Sequence, residues 1–306
     1  MNKIAVLLLI LIMSSTAALA QMGMRMGGGM HDVAPIEYSQ QLFTEDMHIS
    51  RGGQLYDDWW KVTVDIQKPE GDHPLWKTQT NNKRNGYSTY RCKECHGWDY
   101  RGKDGAYGNG SHFTGFSGVY SASQKMSTEE LEAALKGSTN KDHDFSGMLS
   151  NADIADLALF MKKGIIDMTG FINTDGTTIG GNPRAGSNIF LNNCTHMCHG
   201  HNGTAINFGD KEKPEFVGTV ANKNPWEFIH KIRSGQPGTR MISAIIFKWR
   251  NDDILDLLSY ARTLPKDVPE DGWFTRTKRW MGMGKGHHDW FIPEGSRGFG
   301  PIMEQR

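Results

Sequence analysis

The chain has 306 residues, with 34 basic and 34 acidic side chains and therefore no formal net charge. Without a basic surplus, recognition of nucleic acid through phosphate contacts is excluded as a main activity. Hydrophobic residues make up 38% of the chain, with nine Trp and fourteen Phe, which excludes disorder throughout. The length predicts about two domains.

The amino terminus is typical of a secretory signal peptide. A basic residue precedes an apolar run over residues 4–13, and Ala18 and Ala20 suit cleavage after residue 20. The run is too short to span a bilayer. We therefore expect residues 1–20 to be removed and the mature protein to enter the periplasm or the cell exterior, without a transmembrane anchor.

A leader rich in Met and Gly follows over residues 21–50. It carries four Met and one His between Met22 and His31, and a cluster of thioethers could bind copper(I). A flexible leader is the favoured interpretation, because the segment has no Cys and no second Met cluster. Beyond it, Tyr56 and the Trp pair at 59–60 predict a helix that packs aromatic rings on the first domain.

The first motif that carries chemistry is a C-x-x-C-H pattern formed by Cys92, Cys95 and His96. This spacing is typical of the covalent attachment of a c-type haem. Each thiol adds to one vinyl group of the porphyrin, and the adjacent His ligates the iron. A disulfide, a zinc site and thiol redox chemistry are the alternatives for a close Cys pair. A zinc site would have to combine both Cys pairs of the chain, and a thioredoxin-type motif would not require the following His.

A second motif is formed by Cys194, Cys198 and His199, with one extra residue between the cysteines. A bulged C-x-x-x-C-H loop still lets both thiols reach the two vinyl groups. Only 12 of the 306 residues are His, so chance rarely places one after both Cys pairs. The two motifs together predict two covalently bound haem c groups.

Similar helices are predicted after both motifs. In the first half, Ser127 opens a capping box and Ser150 caps a second helix. In the second half, Asn224 precedes a first-turn Pro, and Asn251 caps the last helix. The last helices of the two halves match at an offset of 100 residues. Since no alternating run of β-branched residues indicates strands, the fold is expected to be mainly α.

The order of haem motif, irregular loop, helix, glycine-containing loop and terminal helix resembles the class I cytochrome c fold. Two copies in tandem resemble a dihaem cytochrome c, and the segment 52–60 is similar to that of a group of exported bacterial dihaem cytochromes. The resemblance implies cytochrome c domains at 51–172 and 173–265. Irregular extensions flank them, and the aromatic-rich one at 266–306 is expected to wrap over the domains.

A cytochrome that only moves electrons closes the second face of each iron with another protein ligand. In the second domain, Met241 looks like the axial Met of the family's loop before the last helix. In the first domain, His143 is the favoured ligand and Met148 the runner-up, because Met148 lies only two residues before the Ser150 cap. An open iron site is the third alternative. A His ligand would give the first haem the lower potential, since imidazole favours ferric iron more than a thioether does.

These features lead to three functional hypotheses. The leading one is a periplasmic electron carrier that passes single electrons between redox protein partners, with no catalytic residues beyond the haems. The second is a haem enzyme, resembling a thiosulfate dehydrogenase or a dihaem peroxidase, that uses the haem of the first domain. The third is a cytochrome subunit associated with a larger dehydrogenase or a terminal reductase.

Overall fold

The structure is a computed structural model that describes residues 37–267, except Asp65 and Lys211, and omits the side chains of 37–43 and of Met197. The predicted signal peptide at 1–20, the Met-rich part of the predicted leader and residues 268–306 of the predicted C-terminal extension lie outside the described residues. The chain divides into two compact units between Gln41 and Leu42. Both Cys motifs therefore belong to one compact unit, Leu42–Arg306.

The described residues are mainly α-helical, as the sequence predicted. Only isolated β-bridges occur among them, at Gly102–Ser117, Lys136–Asp144 and Ile172–Thr178. The α-helices are α1 (Glu37–Asp58), α2 (Cys92–His96), α3 (Tyr120–Lys125), α4 (Thr128–Leu135), α5 (Asn151–Leu159), α6 (Pro183–Asn193), α7 (Val217–Lys223), α8 (Pro225–Ser234) and α9 (Asn251–Ala261). Short 3-10 turns and two π-helical turns, Phe160–Gly164 and Thr195–His199, connect them.

Side-chain caps explain where several helices begin. Ser127 accepts the amide of Glu130, which completes the predicted capping box of α4. Ser150 does the same for α5, and the side chain of Asn224 accepts the third amide of α8. The last helix differs from the prediction by one residue, because Asn251 is already helical and residue 250 occupies the cap.

In the first half, which runs up to residue 172, helix α1 crosses α5 in direct contact. A Cβ placed on Gly52 would lie 2.0 Å from the carbonyl oxygen of Asp156, so only glycine allows this approach. Arg51 on α1 adds ion pairs to Asp153 and, at 2.6 Å, to Asp156. α1 begins at Glu37 and therefore extends across the boundary at residue 51 that was expected for the first domain.

The second half repeats this crossing with α6 on α9. A Cβ placed on Gly186 would lie 1.9 Å from the carbonyl oxygen of Asp256, one hundred residues after Asp156. In each half an aromatic ring follows the glycine by four residues, Tyr56 after Gly52 and Phe190 after Gly186, and both rings are buried. The same packing unit thus occurs twice in the chain.

One hydrophobic core runs through both halves. It includes Leu55, Leu157 and Phe160 from the first half and Ile229 and Leu257 from the second, all essentially inaccessible. Burial of large apolar side chains on this scale is the main stabilising contribution to the unit. Among the described residues, no helix is both long enough and apolar enough to cross a membrane.

Candidate haem-attachment sites

The first motif folds as a single helical turn. α2 brings Cys92, Cys95 and His96 onto one short segment, and the amide of Gly97 closes the turn on the carbonyl of Lys93 at 3.0 Å. Gly97 has φ 75°, a left-handed conformation that ends the helix at once. Both cysteines are half-buried free thiols, and burial raises the pKa of each to about 12. They are therefore held as neutral thiols close to the imidazole.

The orientation of His96 is fixed by one hydrogen bond. Its Nδ1 lies 2.7 Å from the carbonyl oxygen of Ser117. A carbonyl only accepts, so Nδ1 carries the proton and Nε2 keeps its lone pair. Burial, and then the neighbouring His143, lower the pKa of His96 to about 4, which leaves the ring neutral. A neutral imidazole with Nε2 free is the form that binds iron.

A second imidazole faces His96. The ring centroid of His143 lies 6.1 Å from that of His96, and the two ring planes are nearly perpendicular, at 81°. Two imidazoles bonded to one metal from opposite sides hold their centroids about 6 Å apart, since a metal–nitrogen bond is about 2 Å long. Nδ1 of His143 lies 3.5 Å from the carbonyl of Ala134, on the long limit for a hydrogen bond. The structure therefore brings two of the predicted ligands together at a separation that fits one iron.

The runner-up Met148 occupies a different environment. Its amide donates to the carbonyl of Phe145 at 2.9 Å, and its half-buried side chain packs against the hydrophobic core. The ring of Phe145 packs against the imidazole of His143, with ring centroids 5.1 Å apart.

A third histidine near this site was missed by the sequence analysis. His73 is only 7% exposed, and its ring centroid lies 6.2 Å from that of His143. Its Nδ1 accepts the amide of Leu75 at 3.2 Å, so Nε2 carries the proton and His73 is a donor rather than a ligand. The only signal in the sequence was its position before Pro74, where it caps a 3-10 turn.

His73 belongs to an insertion that the second half lacks. Residues 59–91 separate α1 from the first motif, whereas Cys194 follows α6 directly. A cleft of about 460 Å³ is lined by residues 72–84 of this insertion, including His73, Lys77 and Arg84. The insertion thus adds both a buried donor and a basic cleft beside the first motif.

Buried charges surround the first motif. Asp57 on α1 is inaccessible and is paired with Arg91, which directly precedes Cys92, and with Lys231 of α8 at 2.6 Å. Although burial alone would raise the pKa of Asp57, the two cations hold it far below its usual value. Glu94, inside the motif, is likewise buried and pairs with neighbouring cations. Asp57 therefore stays ionised, and each of the two buried carboxylates has a cation beside it.

The second motif absorbs its extra residue in a π-helical turn. The amide of Gly200 reaches back five residues to the carbonyl of Thr195, at 3.2 Å, where the first motif reaches back four. After this turn the two motifs have the same backbone hydrogen-bond pattern. The amide six residues after each His returns to the carbonyl of that His, from Gly102 at 2.8 Å and from Ala205 at 3.1 Å.

The imidazole of His199 is held less firmly than that of His96. Its buried Nδ1 has no hydrogen-bond partner among the described residues, and burial lowers its pKa. The rings beside it are Phe190 and Phe208, at 6.5 and 5.8 Å. Phe208 is 45% exposed, and Leu191 and Ile206 nearby in sequence are also exposed. Cys198 is exposed as well, and Cys194 is half-buried.

Met241 lies on the loop between α8 and α9, where the prediction placed it, and is half-buried. The loop turns at Gly235, where a Cβ would lie 2.9 Å from the carbonyl oxygen of Met241. It then runs back along α8, where the amide of Ala244 donates a hydrogen bond to the carbonyl of Ile232 at 2.9 Å. Within the described ranges, no second imidazole ring packs against His199 as His143 does against His96.

The chemistry of the donor side chains at the first motif is compatible with a haem. Among residues 37–267 as described, no group of three or more His, Cys, Asp or Glu is arranged to hold a metal ion. A haem iron takes four ligands from the porphyrin and needs only one or two side chains, as at His96 and His143. Comparison with known proteins finds no matching family model, no matching curated protein and no matching solved structure.

Proposed function

We propose that this chain is an exported dihaem c-type cytochrome that carries single electrons between redox partners. Cys92 and Cys95 would attach the first haem, and Cys194 and Cys198 the second. The axial ligands would be His96 and His143 at the first iron, and His199 and Met241 at the second. The observation that carries the proposal is the 6.1 Å separation of the His96 and His143 rings beside a C-x-x-C pair.

The repeated geometry supports two tandem class I cytochrome c domains, at 51–172 and 173–265. Both motifs end in a glycine with positive φ, and both return an amide to the carbonyl of the His after six residues. In both halves a glycine allows the first helix to cross the last one at carbonyl contact, at Gly52 and Gly186. Because both the turn at the Cys motif and the helix crossing occur in each half, duplication of one domain is favoured over two Cys pairs of unrelated origin.

The ligand arrangement favours a carrier over a catalyst. When bound, a haem supplies reversible one-electron oxidation and reduction. If His96 and His143 both held the first iron, no position would remain there for a substrate, and burial keeps both rings neutral. With imidazole on both sides of the first site and the thioether of Met241 at the second, the first site has the lower potential. Electrons then pass from the first site to the second.

The compartment and partners follow from the sequence rather than from the described residues. The signal peptide at 1–20 supports export to the periplasm or beyond. Zero net charge gives no basis for nucleic acid as a partner. The partners we propose are redox proteins, including a dehydrogenase or a terminal reductase with which the chain associates.

A haem enzyme that uses the first site is the second candidate. The observation that favours it is the insertion, which places the Nε2–H of His73 and a basic cleft beside His143. The hydrogen bond from His143 to Ala134 is long, so this ligand is weakly anchored. Displacement of His143 by a substrate would turn the carrier into a thiosulfate dehydrogenase-like or peroxidase-like enzyme.

The test is to express the full chain with a haem-attachment system and to count haems by pyridine haemochrome. We expect two per chain, both low-spin, and one Met-to-ferric charge-transfer band at the red edge, from the second site. His143→Ala should convert the first site to high spin, while the control Met148→Leu should leave it low-spin. Two Met bands, or a low-spin first site in His143→Ala, would contradict the assignment of His143. A wild-type high-spin site that binds cyanide readily would favour the enzyme.

A further inference from the structure

The imidazole of His230 makes hydrogen bonds to the first half of the compact unit from a helix of the second half. His230 lies on α8 and is completely buried. Its Nε2 is 3.0 Å from the carbonyl oxygen of Gly53 on α1, so Nε2 carries the proton and donates. Its Nδ1 is therefore an acceptor, and it receives the hydroxyl of Tyr100 at 2.9 Å. Burial lowers the pKa of His230 to about 4, which keeps this tautomer neutral.

Tyr100 holds this position in an uncommon backbone conformation. Its φ is 65°, in the left-handed region that few residues other than glycine adopt. Counting from the two haem-motif histidines, the equivalent residue in the second motif is Gly203, with φ 74°. The second motif therefore uses glycine where the first accepts the strain of a tyrosine. Such strain persists only where surrounding contacts hold it, and it points to a role for the side chain.

The strained residue lies inside the turn that supports His96. The amide of Tyr100 returns to the carbonyl of Gly97 at 3.3 Å, and the amide of Gly102 to the carbonyl of His96 at 2.8 Å. Tyr56 reaches the same turn, with its hydroxyl 2.7 Å from the carbonyl of Gly97. Side chains of α1 and α8 thus hold residues 97–102, and this turn holds the backbone of His96.

We propose that the Tyr100–His230 pair is a positioning device through which the second half holds the turn that carries the backbone of His96, and so sets the reduction potential of the first site. This inference rests on the proposed function, because it assigns a redox consequence to the pair. The second motif has no equivalent device, since glycine occupies the position of Tyr100. The first site therefore depends on contacts from the other half, and the second site provides an internal reference.

The experiment compares Tyr100→Phe with Tyr107→Phe in the full-length holoprotein. Both tyrosines are buried and follow the first motif, but the Tyr107 hydroxyl has no hydrogen-bond partner among the described residues. In Tyr100→Phe, the loss of a buried hydrogen bond should speed exchange of the Gly102 amide about tenfold. The potential of the first site should shift while that of the second stays constant. Tyr107→Phe should change neither.

Each result decides the proposal. Faster exchange without a potential shift, or equal effects in both variants, would overturn the positioning role. If Tyr100→Phe does not fold, ¹⁵N spectra of the wild-type histidines still test the pair, since a proton on Nδ1 of His230 rather than Nε2 would overturn it. If the chain attaches no haem, the proposed function is refuted. Faster exchange of the Gly102 amide in Tyr100→Phe of that chain would still show that the Tyr100–His230 hydrogen bond stabilises the turn.

Discussion

The two Cys motifs have the same closing turn but very different support from the rest of the protein. At the first, a carbonyl fixes the tautomer of His96, a second imidazole faces it, and buried ion pairs flank the cysteines. At the second, Nδ1 of His199 has no partner among the described residues, and exposed apolar side chains adjoin it. The first site is therefore organised by the polypeptide itself. The second has less support from buried contacts and leaves apolar side chains exposed beside it.

The difference extends to residues that correspond across the helix crossings. Five residues after Gly52 is the buried Asp57, and five residues after Gly186 is the exposed Leu191. Asp57 ties α1 to the first motif through Arg91 and to the second half through Lys231. Removing the charge of a buried carboxylate between two cations leaves each cation with only its longer ion pair, Arg91 to Asp58 at 3.9 Å and Lys231 to Glu227 at 3.7 Å.

The largest effect is therefore expected from Asp57→Asn. This change keeps the shape of the side chain but leaves Arg91 and Lys231 without their shared anion. We expect a loss of about 3–5 kcal/mol in the free energy of unfolding, measured by urea denaturation at pH 7. Asp104→Asn, at an exposed position in the same half, should change it by less than about 0.5 kcal/mol. Equal losses in the two variants would refute the special role of the buried charge.

The same ion pairs predict a pH dependence. The pKa of Asp57 is far below its usual value in the folded state, so its stabilising effect is present above the unfolded pKa and is lost as the pH falls. Wild-type stability should therefore decrease below about pH 5. In Asp57→Asn the decrease should be shallower, and parallel stability curves for the two proteins would count against this contribution.

The helix crossings provide a test in which the two halves should respond alike. Gly52→Ala and Gly186→Ala each push a methyl group against a backbone carbonyl, at 2.0 and 1.9 Å before relaxation. Each should lose about 1–3 kcal/mol of stability in thermal or urea unfolding, despite the better helix propensity of Ala. Gly147→Ala, which enters open space, is the control. A large loss in only one half would break the structural equivalence of the crossings.

Local signals in the sequence predicted helices α4, α5, α8 and α9 and singled out the Cys motifs, because capping residues and C-x-x-C-H runs act within a few residues. The caps at Ser127, Ser150 and Asn224 are confirmed. The position of His143 in the loop also marked it as a candidate ligand before any geometry was known. These features need no knowledge of what packs against them.

The remaining features depend on contacts between segments that are distant in the chain. The proximity of His73 to His143 arises from an insertion folding across about 70 residues, and the pairing of Tyr100 with His230 spans 130. The crossing glycines could have been noticed as Gly52 and Gly186, each four residues before an aromatic ring. Only the packed structure identifies the backbone carbonyls that require them.

The smallest predicted loss of stability is for removal of a helix cap. We expect this loss to be the same in the two halves. Ser127→Ala removes the side chain that accepts the amide of Glu130, and Asn224→Ala removes the one that accepts the amide of Glu227. Each should cost about 1 kcal/mol in urea unfolding, because each leaves one first-turn amide without its acceptor. Ser138→Ala, at an exposed position outside the helices, is the matched control. A clearly larger loss of stability for Asn224→Ala would mean that the cap of α8 also supports the buried hydrogen bonds of His230 on the same helix. The difference between the two variants would then measure how strongly this cap stabilises the contact between the two halves.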